Sequence, residues 1–298
     1  MISILIPCYN FNAYPLVSKL EKQALILNIN FEIICIDDGS FSAKNEINQK
    51  INLLTNSRFI ESKKNLGRIN NKLLLAKSSQ YDWLIFIDVD TYPSNDSFLK
   101  NYVNQIDKSA FNFGGCIYNK PENTNLSLRY KFGKNREEIS SEKRNKNPYK
   151  YISSSNFMCK KDLIIEVFSK IKNVSYGNDY VFGSILKKNN IDILHTNNPV
   201  DIKNIDENSI FIKKTHQALA NILSSYKRGE IQKHSISILK AYRILDSLFM
   251  KKIFINLTNK FIGKLEKNLH KENPNLFLFD LYRLNYMCQT DLLFPQIK

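Results

Sequence analysis

The sequence predicts an α/β fold in which helices flank a mostly parallel central sheet, with a helical extension at the C-terminus. Three observations carry this expectation. Short apolar runs at Ile2–Ile6, Phe31–Ile36 and Trp83–Ile87 read as buried strands. Residues 13–28, Asn45–Leu54 and the stretch from Gly67 through Ala76 lie between them with apolar positions at helical spacing. From about Asn208, apolar positions recur every three and four residues through Leu269. Strands that alternate with helices imply parallel pairing, and such sheets hold ligands at the carboxyl ends of their strands.

Each element follows in order. Pro7 ends the first strand, and Asp37-Asp38-Gly39-Ser40 stops the second. Arg58–Glu61 reads as a short strand, and the third apolar run ends at Asp88. Beyond Phe113 the pattern changes. Strand-like pieces at Phe113–Tyr118 and Ile152–Cys159 flank a polar, basic stretch from Asn119 to Lys150, which reads as a surface loop and helix over the site. Asp162–Lys170 and Tyr180–Lys188 look helical, and Ile191–Thr196 looks like a strand. The expected domains are 1–206, with halves at 1–112 and 113–206, and a helical extension at 207–298.

Composition narrows the function classes. The chain has 298 residues, 43% of them hydrophobic, enough for one large domain with an appendage. Lys and Arg number 43 against 28 Asp and Glu, a net charge of +15 that favours anionic partners. The cations are spread along the chain without a nucleic-acid-binding motif, so nucleic acid is not expected as a partner. The five Cys are far apart and lack metal spacing, which reads as reduced core thiols. Met1 leads straight into a strand pattern with no room for a signal peptide, and no apolar run nears the roughly 20 residues that span a bilayer. A cytoplasmic location is the expectation.

Polar residues gather where a ligand would sit: Pro7-Cys8-Tyr9-Asn10, Asp37-Asp38-Gly39-Ser40 and Asp88-Val89-Asp90. Alternate carboxylates beyond a buried strand can meet one hard cation, and a divalent ion on a diphosphate takes one or two carboxylates plus phosphate oxygens. Asp at a strand end also serves as a turn or cap. No Gly occurs between Met1 and Asp38, and no P-loop pattern appears, so dinucleotide-binding and P-loop chemistries are excluded.

The run Ile2-Ser3-Ile4-Leu5-Ile6-Pro7-Cys8-Tyr9-Asn10, followed by Asp37-Asp38-Gly39-Ser40, Asn65-Leu66-Gly67-Arg68 and Phe86-Ile87-Asp88-Val89-Asp90, resembles the inverting glycosyltransferase family 2. Gly114-Gly115, Arg136-Glu137, Ser155-Asn156-Phe157, Tyr176 to Gly183 and Asn198-Pro199-Val200 are similar to a bacterial branch of that family. The resemblance spans roughly residues 1–220 and implies a GT-A fold.

It also implies roles. Pro7, Tyr9 and Asn10 would line the base and ribose of a nucleotide-diphosphate sugar. Asp38 would hold the base and Asp37 support its loop. Gly67 would admit the donor, and Arg68 and Lys72 would contact phosphate. Asp88 would hold ribose or sugar, Asn156 is counted with the substrate-binding residues, and Asp90 would bind Mn2+ or Mg2+. Asp179 aligns with the general base. Two positions depart from the pattern. Asn178 stands where Glu is usual before the base, and Ile202 stands where a metal-binding His follows Pro-Val. Asp201 or His195 could take that ligand's place.

The resemblance thus implies a metal-dependent transferase of hexose or N-acetylhexosamine, acting on a glycan or lipid-linked acceptor in surface polysaccharide assembly. Alternatives are a catalytically impaired nucleotide-sugar-binding protein of the same fold, or a sugar nucleotidyltransferase. Residues 248–269 mix Lys251, Lys252, Lys260, Lys264 and Lys267 with large apolar side chains. This segment suits either packing on the catalytic domain or peripheral contact with an anionic membrane.

Overall fold

The computed structural model describes residues 1–172, 176–231 and 234–293. The chain begins β1 (Ile2–Cys8), α1 (Tyr14–Ile26), β2 (Phe31–Asp37), α2 (Lys44–Asn48), β3 (Ser57–Glu61), α3 (Arg68–Ser78) and β4 (Trp83–Ile87). It continues β5 (Thr91–Pro93), α4 (Phe98–Val103), β6 (Phe111–Phe113), β7 (Cys116–Tyr118), α5 (Ser127–Arg136), α6 (Ser141–Asn145), β8 (Asn156–Lys160), α7 (Lys161–Ser169), α8 (Asn178–Lys188), β9 (Ile193–His195) and β10 (Val200–Ile202). It closes α9 (Asn208–Lys227), α10 (Ser237–Ser247), α11 (Lys251–Asn259), α12 (Ile262–Leu269) and α13 (Leu276–Leu293).

The described residues form two compact units. The first takes in residues 1–118, 138–172 and 189–204; the second takes in 119–137, 176–188 and 205–293. The sequence-expected break near 206 lies beside the one at 204, whereas 119–137 and 176–188, expected in the first domain, cluster with the C-terminal helices.

The first unit is built on a seven-stranded sheet in the order β3-β2-β1-β4-β8-β6-β9. β3, β2, β1 and β4 run parallel, while β8 is antiparallel to β4 and to β6. β2 and β4 are buried along their whole length, and β1 at all but Pro7. This is why they read as continuous apolar runs rather than alternating ones. The core joins Ile4, Ile33 and Ile85 from the strands to Leu16, Val17 and Leu20 of α1. β1 lies between β2 and β4, the topological switch point where open α/β sheets form a crevice beyond their strand ends.

A second, three-stranded sheet, β5-β10-β7, starts directly after Asp90. β10 pairs antiparallel with β5, Ile202 opposite Thr91 and Asp201 opposite Tyr92. The polar stretch expected as surface loop contains α5, α6 and the buried Arg144. Arg144 donates to the carbonyls of Phe113, Gly114, Ile139 and Thr196, which explains why a cation is tolerated inside.

In the second unit, α9 and α13 pack on each other. Leu128, Leu269 and Phe279 form an apolar cluster there, covered by Phe132, Phe211 and Tyr282. α8 approaches α9 closely at Gly177, whose φ is +88° and where a Cβ would sit 3.0 Å from Ala218.

Candidate active site

The carboxyl ends of β1, β2 and β4 lie level. Cys8 pairs with Asp37, and the Asp38 N–H donates to the Cys8 carbonyl at 2.8 Å. Leu5 pairs with Phe86, so Pro7 and Asp88 are the residues two positions beyond on each strand. Register alone therefore assembles the three polar motifs along one edge.

The loop after β1 is shaped without glycine. Asn10 adopts φ 50°, a left-handed conformation that Asn tolerates better than most residues. Its side-chain oxygen accepts from Ser42 Oγ at 2.8 Å and its carbonyl accepts from Lys44 Nζ at 3.0 Å. Buried Asn48 clamps the same loop, accepting from the Ala13 N–H and donating to the Phe11 carbonyl. Tyr9 is 57% exposed at the strand end, an apolar ring with no core to enter.

Asp37 closes its own turn, accepting from the Ser40 backbone N–H at 2.8 Å and from Ser40 Oγ at 2.7 Å. Asp38 reaches across to the loop before α3, its two oxygens accepting from the N–H groups of Leu66 at 2.7 Å and Gly67 at 2.9 Å. Burial raises the Asp38 pKa above the usual carboxylate value, those two N–H bonds pull it back, and Asp37 pushes it up again. Gly67 has φ 82° as it caps α3, a conformation that L side chains rarely adopt.

Arg68 and Lys72 lie one turn apart on α3 and both face Asp88. Lys72 Nζ is 2.8 Å from Asp88 Oδ1, and Arg68 Nη2 is 3.2 Å from Oδ2. Burial raises the Asp88 pKa, but Lys72 and Arg68 together outweigh it and hold the carboxylate below its ordinary value. Lys72 is fully buried and also donates to the Ser154 carbonyl. Sequence reading gave Lys72 a phosphate contact; the structure instead commits its ammonium to Asp88 and Ser154. Arg68 has its side chain 60% exposed and remains at the surface.

Asp90 differs from Asp88. Among the described residues, no hydrogen bond or ion pair ties its carboxylate to another residue. Burial raises its pKa, Asp88 raises it further, and Arg68 and Lys72 offset part of this. The turn that carries it is fixed by Thr91, whose N–H and Oγ1 both bond the Asp88 carbonyl, and by the buried Val89 beneath. A partly buried carboxylate with a raised pKa and no cation of its own fits a hard divalent ion. One carboxylate suffices when phosphate oxygens and waters complete the shell. No three His, Cys, Asp or Glu converge on a common point among the described residues.

The two residues expected to replace the missing His ligand both have protein partners. His195 is 2% exposed on β9, with Nδ1 2.9 Å from Arg144 Nη1 and Nε2 2.9 Å from the Pro148 carbonyl. Both ring nitrogens are engaged by protein partners. Burial drives its pKa down, the Pro148 carbonyl opposes this and Arg144 reinforces it, leaving a value of about 4. Ile202 packs against the core around Val200, and Asp201 pairs with Lys203 at 3.5 Å. Asn156 is likewise engaged. It is 1% exposed, accepts from the Tyr102 hydroxyl at 2.6 Å and donates to the Gly115 and Asn198 carbonyls, so it ties β8 to α4 and to the loops at Gly115 and Asn198.

Asp179 lies in the first turn of α8, in the second unit. The preceding Asn178 is buried, and its side-chain oxygen accepts from Asn221 Nδ2 at 3.0 Å. Asn221 Nδ2 also donates to the Tyr176 carbonyl, so α9 holds the start of α8. Sequence reading missed Asn48, Arg144 and Asn221. Their signal was weak, since isolated Asn and Arg in polar stretches look solvent-facing until their partners are known.

Comparisons with known proteins agree with this geometry. The model of the family described as glycosyl transferase family 2 matches residues 3–168. No curated protein matches the chain. Among solved structures, the mannosyltransferase PcManGT from Pyrobaculum calidifontis, in complex with GDP-Man and Mn2+, superposes with a TM-score of 0.57 at 11% identity, covering 98% of this chain and 86% of that one. TarS from S. aureus gives 0.53 at 17% identity, with 98% of this chain against 53% of its own. Glucosyl-3-phosphoglycerate synthase from Mycobacterium tuberculosis, with Mn2+, UDP and phosphoglyceric acid, gives 0.51 at 14%, covering 75% and 78%. These likenesses show a shared fold, and with more than half of the chain matched by the family model, the protein belongs to glycosyl transferase family 2.

Proposed function

We propose that this glycosyltransferase moves a hexose or N-acetylhexosamine from a nucleotide-diphosphate sugar to a hydroxyl of a glycan or lipid-linked acceptor, inverting the anomeric centre, in surface polysaccharide assembly. The observation that carries the reading is the split between two neighbouring carboxylates: Asp88 is held by Lys72 and Arg68, while no hydrogen bond or ion pair ties the Asp90 carboxylate to another of the described residues. The neighbours crystallised with UDP-GlcNAc and GDP-Man add support, since their donors are of this class.

Each step draws on residues of the chain. Tyr9 and Asn10 flank the base and ribose, on a loop fixed by Asn48 and Ser42. Asp38 holds the Leu66 and Gly67 amides in place, and Gly67 keeps the backbone low where the donor passes. Asp88, kept ionised, accepts from ribose or sugar hydroxyls. Arg68 meets the diphosphate. Asp90 holds Mn2+ or Mg2+, which when bound neutralises charge on the diphosphate. As the bond from the anomeric carbon to the phosphate oxygen breaks, its electron pair leaves with the nucleoside diphosphate. The acceptor oxygen forms the new bond and loses its proton to a carboxylate. Asp179 takes this role on its motif, and such a base contributes about 10²–10⁴-fold.

The experiment is a thermal-unfolding screen against a panel of nucleotide sugars with Mn2+, followed by turnover with whichever donor protects. Binding to the native state raises the midpoint by mass action. At least one nucleotide-diphosphate sugar should stabilise the protein and be consumed. Failure of every donor, with and without Mn2+, would overturn the reading.

A further inference from the structure

We propose that the second unit docks in the plane of an anionic lipid bilayer through the exposed face of α11 and the turns on either side of it. α11 packs on α13 and buries Ile255. Away from Ile255, Phe249, Ile253, Leu257 and Phe261 recur every four residues and stay exposed, from 53% at Leu257 to 90% at Phe249. Ile253 and Leu257 are four apart on α11 and share one face, and Phe249 and Phe261 stand exposed in the turns before and after the helix. Leu248 and Met250 widen this surface at its N-terminal end. The backbone at Phe249 is held at φ 58°, which a bulky residue rarely adopts, and its ring finds no core there. A strained turn that displays an aromatic ring to water is a wedge without its medium.

Charge selects the occupant. From Leu248 to Leu265 the sequence contains no Asp or Glu and four Lys. Lys251 is committed to Asp246 and Asp291. Lys252, Lys260 and Lys264 are exposed and have no ion-pair partner among the described residues. Lys264 Nζ lies 5.6 Å from the centre of the Phe261 ring, joining the charged rim to the apolar stripe. An apolar stripe edged by unpaired ammonium groups on flexible stems matches a layer whose acyl chains lie beneath anionic headgroups. No helix among the described residues is long and apolar enough to cross a membrane, so this contact lies in the interface. The inference stands on the second unit alone and does not depend on the transfer reaction.

Flotation of the full chain with phosphatidylcholine vesicles, with and without phosphatidylglycerol, tests this. The protein should float with the anionic vesicles and be released at high salt, where charge attraction is screened. Replacing the three unpaired lysines together (Lys252→Gln, Lys260→Gln, Lys264→Gln) should lower the partition coefficient roughly 100-fold. Phe249→Ser should lower it roughly tenfold, through lost apolar burial. All four side chains are exposed, so the variants should keep the wild-type unfolding midpoint. Equal flotation with neutral vesicles, or none with anionic ones, would overturn the proposal. So would a wild-type dimer in solution that Phe249→Ser disperses, since the face would then belong to a second copy.

Discussion

Lys72 Nζ lies 2.8 Å from Asp88 Oδ1, with the lysine fully buried on α3 and the aspartate at the end of β4. This ion pair ties α3 to the carboxyl end of β4. Asp90, two residues on, makes no ion pair with any of the described residues. One role per carboxylate explains why an Asp-x-Asp pair at this edge can be both structural and ligand-facing.

Lys72→Met should cost about 3–5 kcal/mol, because it strands Asp88 as a buried charge. Adding Asp88→Asn should recover part of that loss, so the double variant is more stable than the sum of the singles predicts. Denaturant unfolding of the four proteins measures the coupling; strict additivity would contradict the pairing. Asp88 has a lowered folded pKa, so its contribution is present above the ordinary carboxylate value and is lost as pH falls through the lower, folded one.

His195 gives stability the opposite kind of group but the same direction with pH. Its folded pKa is about 4, below the ordinary histidine value of about 6.5. Between these values the unfolded chain binds a proton that the folded chain refuses. Stability should therefore fall with decreasing pH across that window, by up to about 1.4 kcal/mol per unit. His195→Gln should flatten this slope and leave Mn2+ affinity in the presence of nucleotide unchanged. A loss of metal affinity would restore His195 as a ligand.

Gly67→Ala forces a side chain into φ 82° and should cost about 1–2 kcal/mol. Asp38→Ala removes the acceptor of two backbone amides and should cost about 1–3 kcal/mol. Both should raise the KM for the donor more than they lower kcat, because they loosen the binding loop. A fall in kcat with unchanged KM would place the loop in the chemistry itself.

Asp179→Asn keeps the size and polarity of the residue while removing its capacity to take a proton. Turnover should fall by about 10²-fold or more, with donor affinity and unfolding midpoint near wild type. Wild-type turnover would move the base elsewhere.

Much of the first unit was legible because β1, β2 and β4 are long, parallel and buried, and apolar runs of that kind have few other readings. β5 and β10 were illegible: three residues are too few to show alternation, and their pairing spans more than 100 residues of sequence. The apolar stretch from Leu276 was not read as α13, because its apolar residues surround the helix and define no single stripe. At the site, the order of the motifs located Asp88 and Asp90, but not which of the two keeps a protein partner. That difference rests on Lys72 entering the core and on Ser154, far along the chain, capping its ammonium. Asn156 and His195 follow the same pattern. Their motif positions were visible, while Tyr102, Gly115, Arg144 and Pro148, which occupy them, were not.

The measurement closest to the central claim is calorimetry of Mn2+ with nucleoside diphosphate on the wild type, Asp90→Asn and His195→Gln. Asp90→Asn should abolish the Mn2+-dependent part of nucleotide binding and leave the unfolding midpoint unchanged, while His195→Gln should bind as the wild type does. In the wild type that binding should weaken as pH falls, because the raised pKa of Asp90 means a proton competes for the carboxylate early. Undiminished Mn2+-dependent binding by Asp90→Asn would contradict the account.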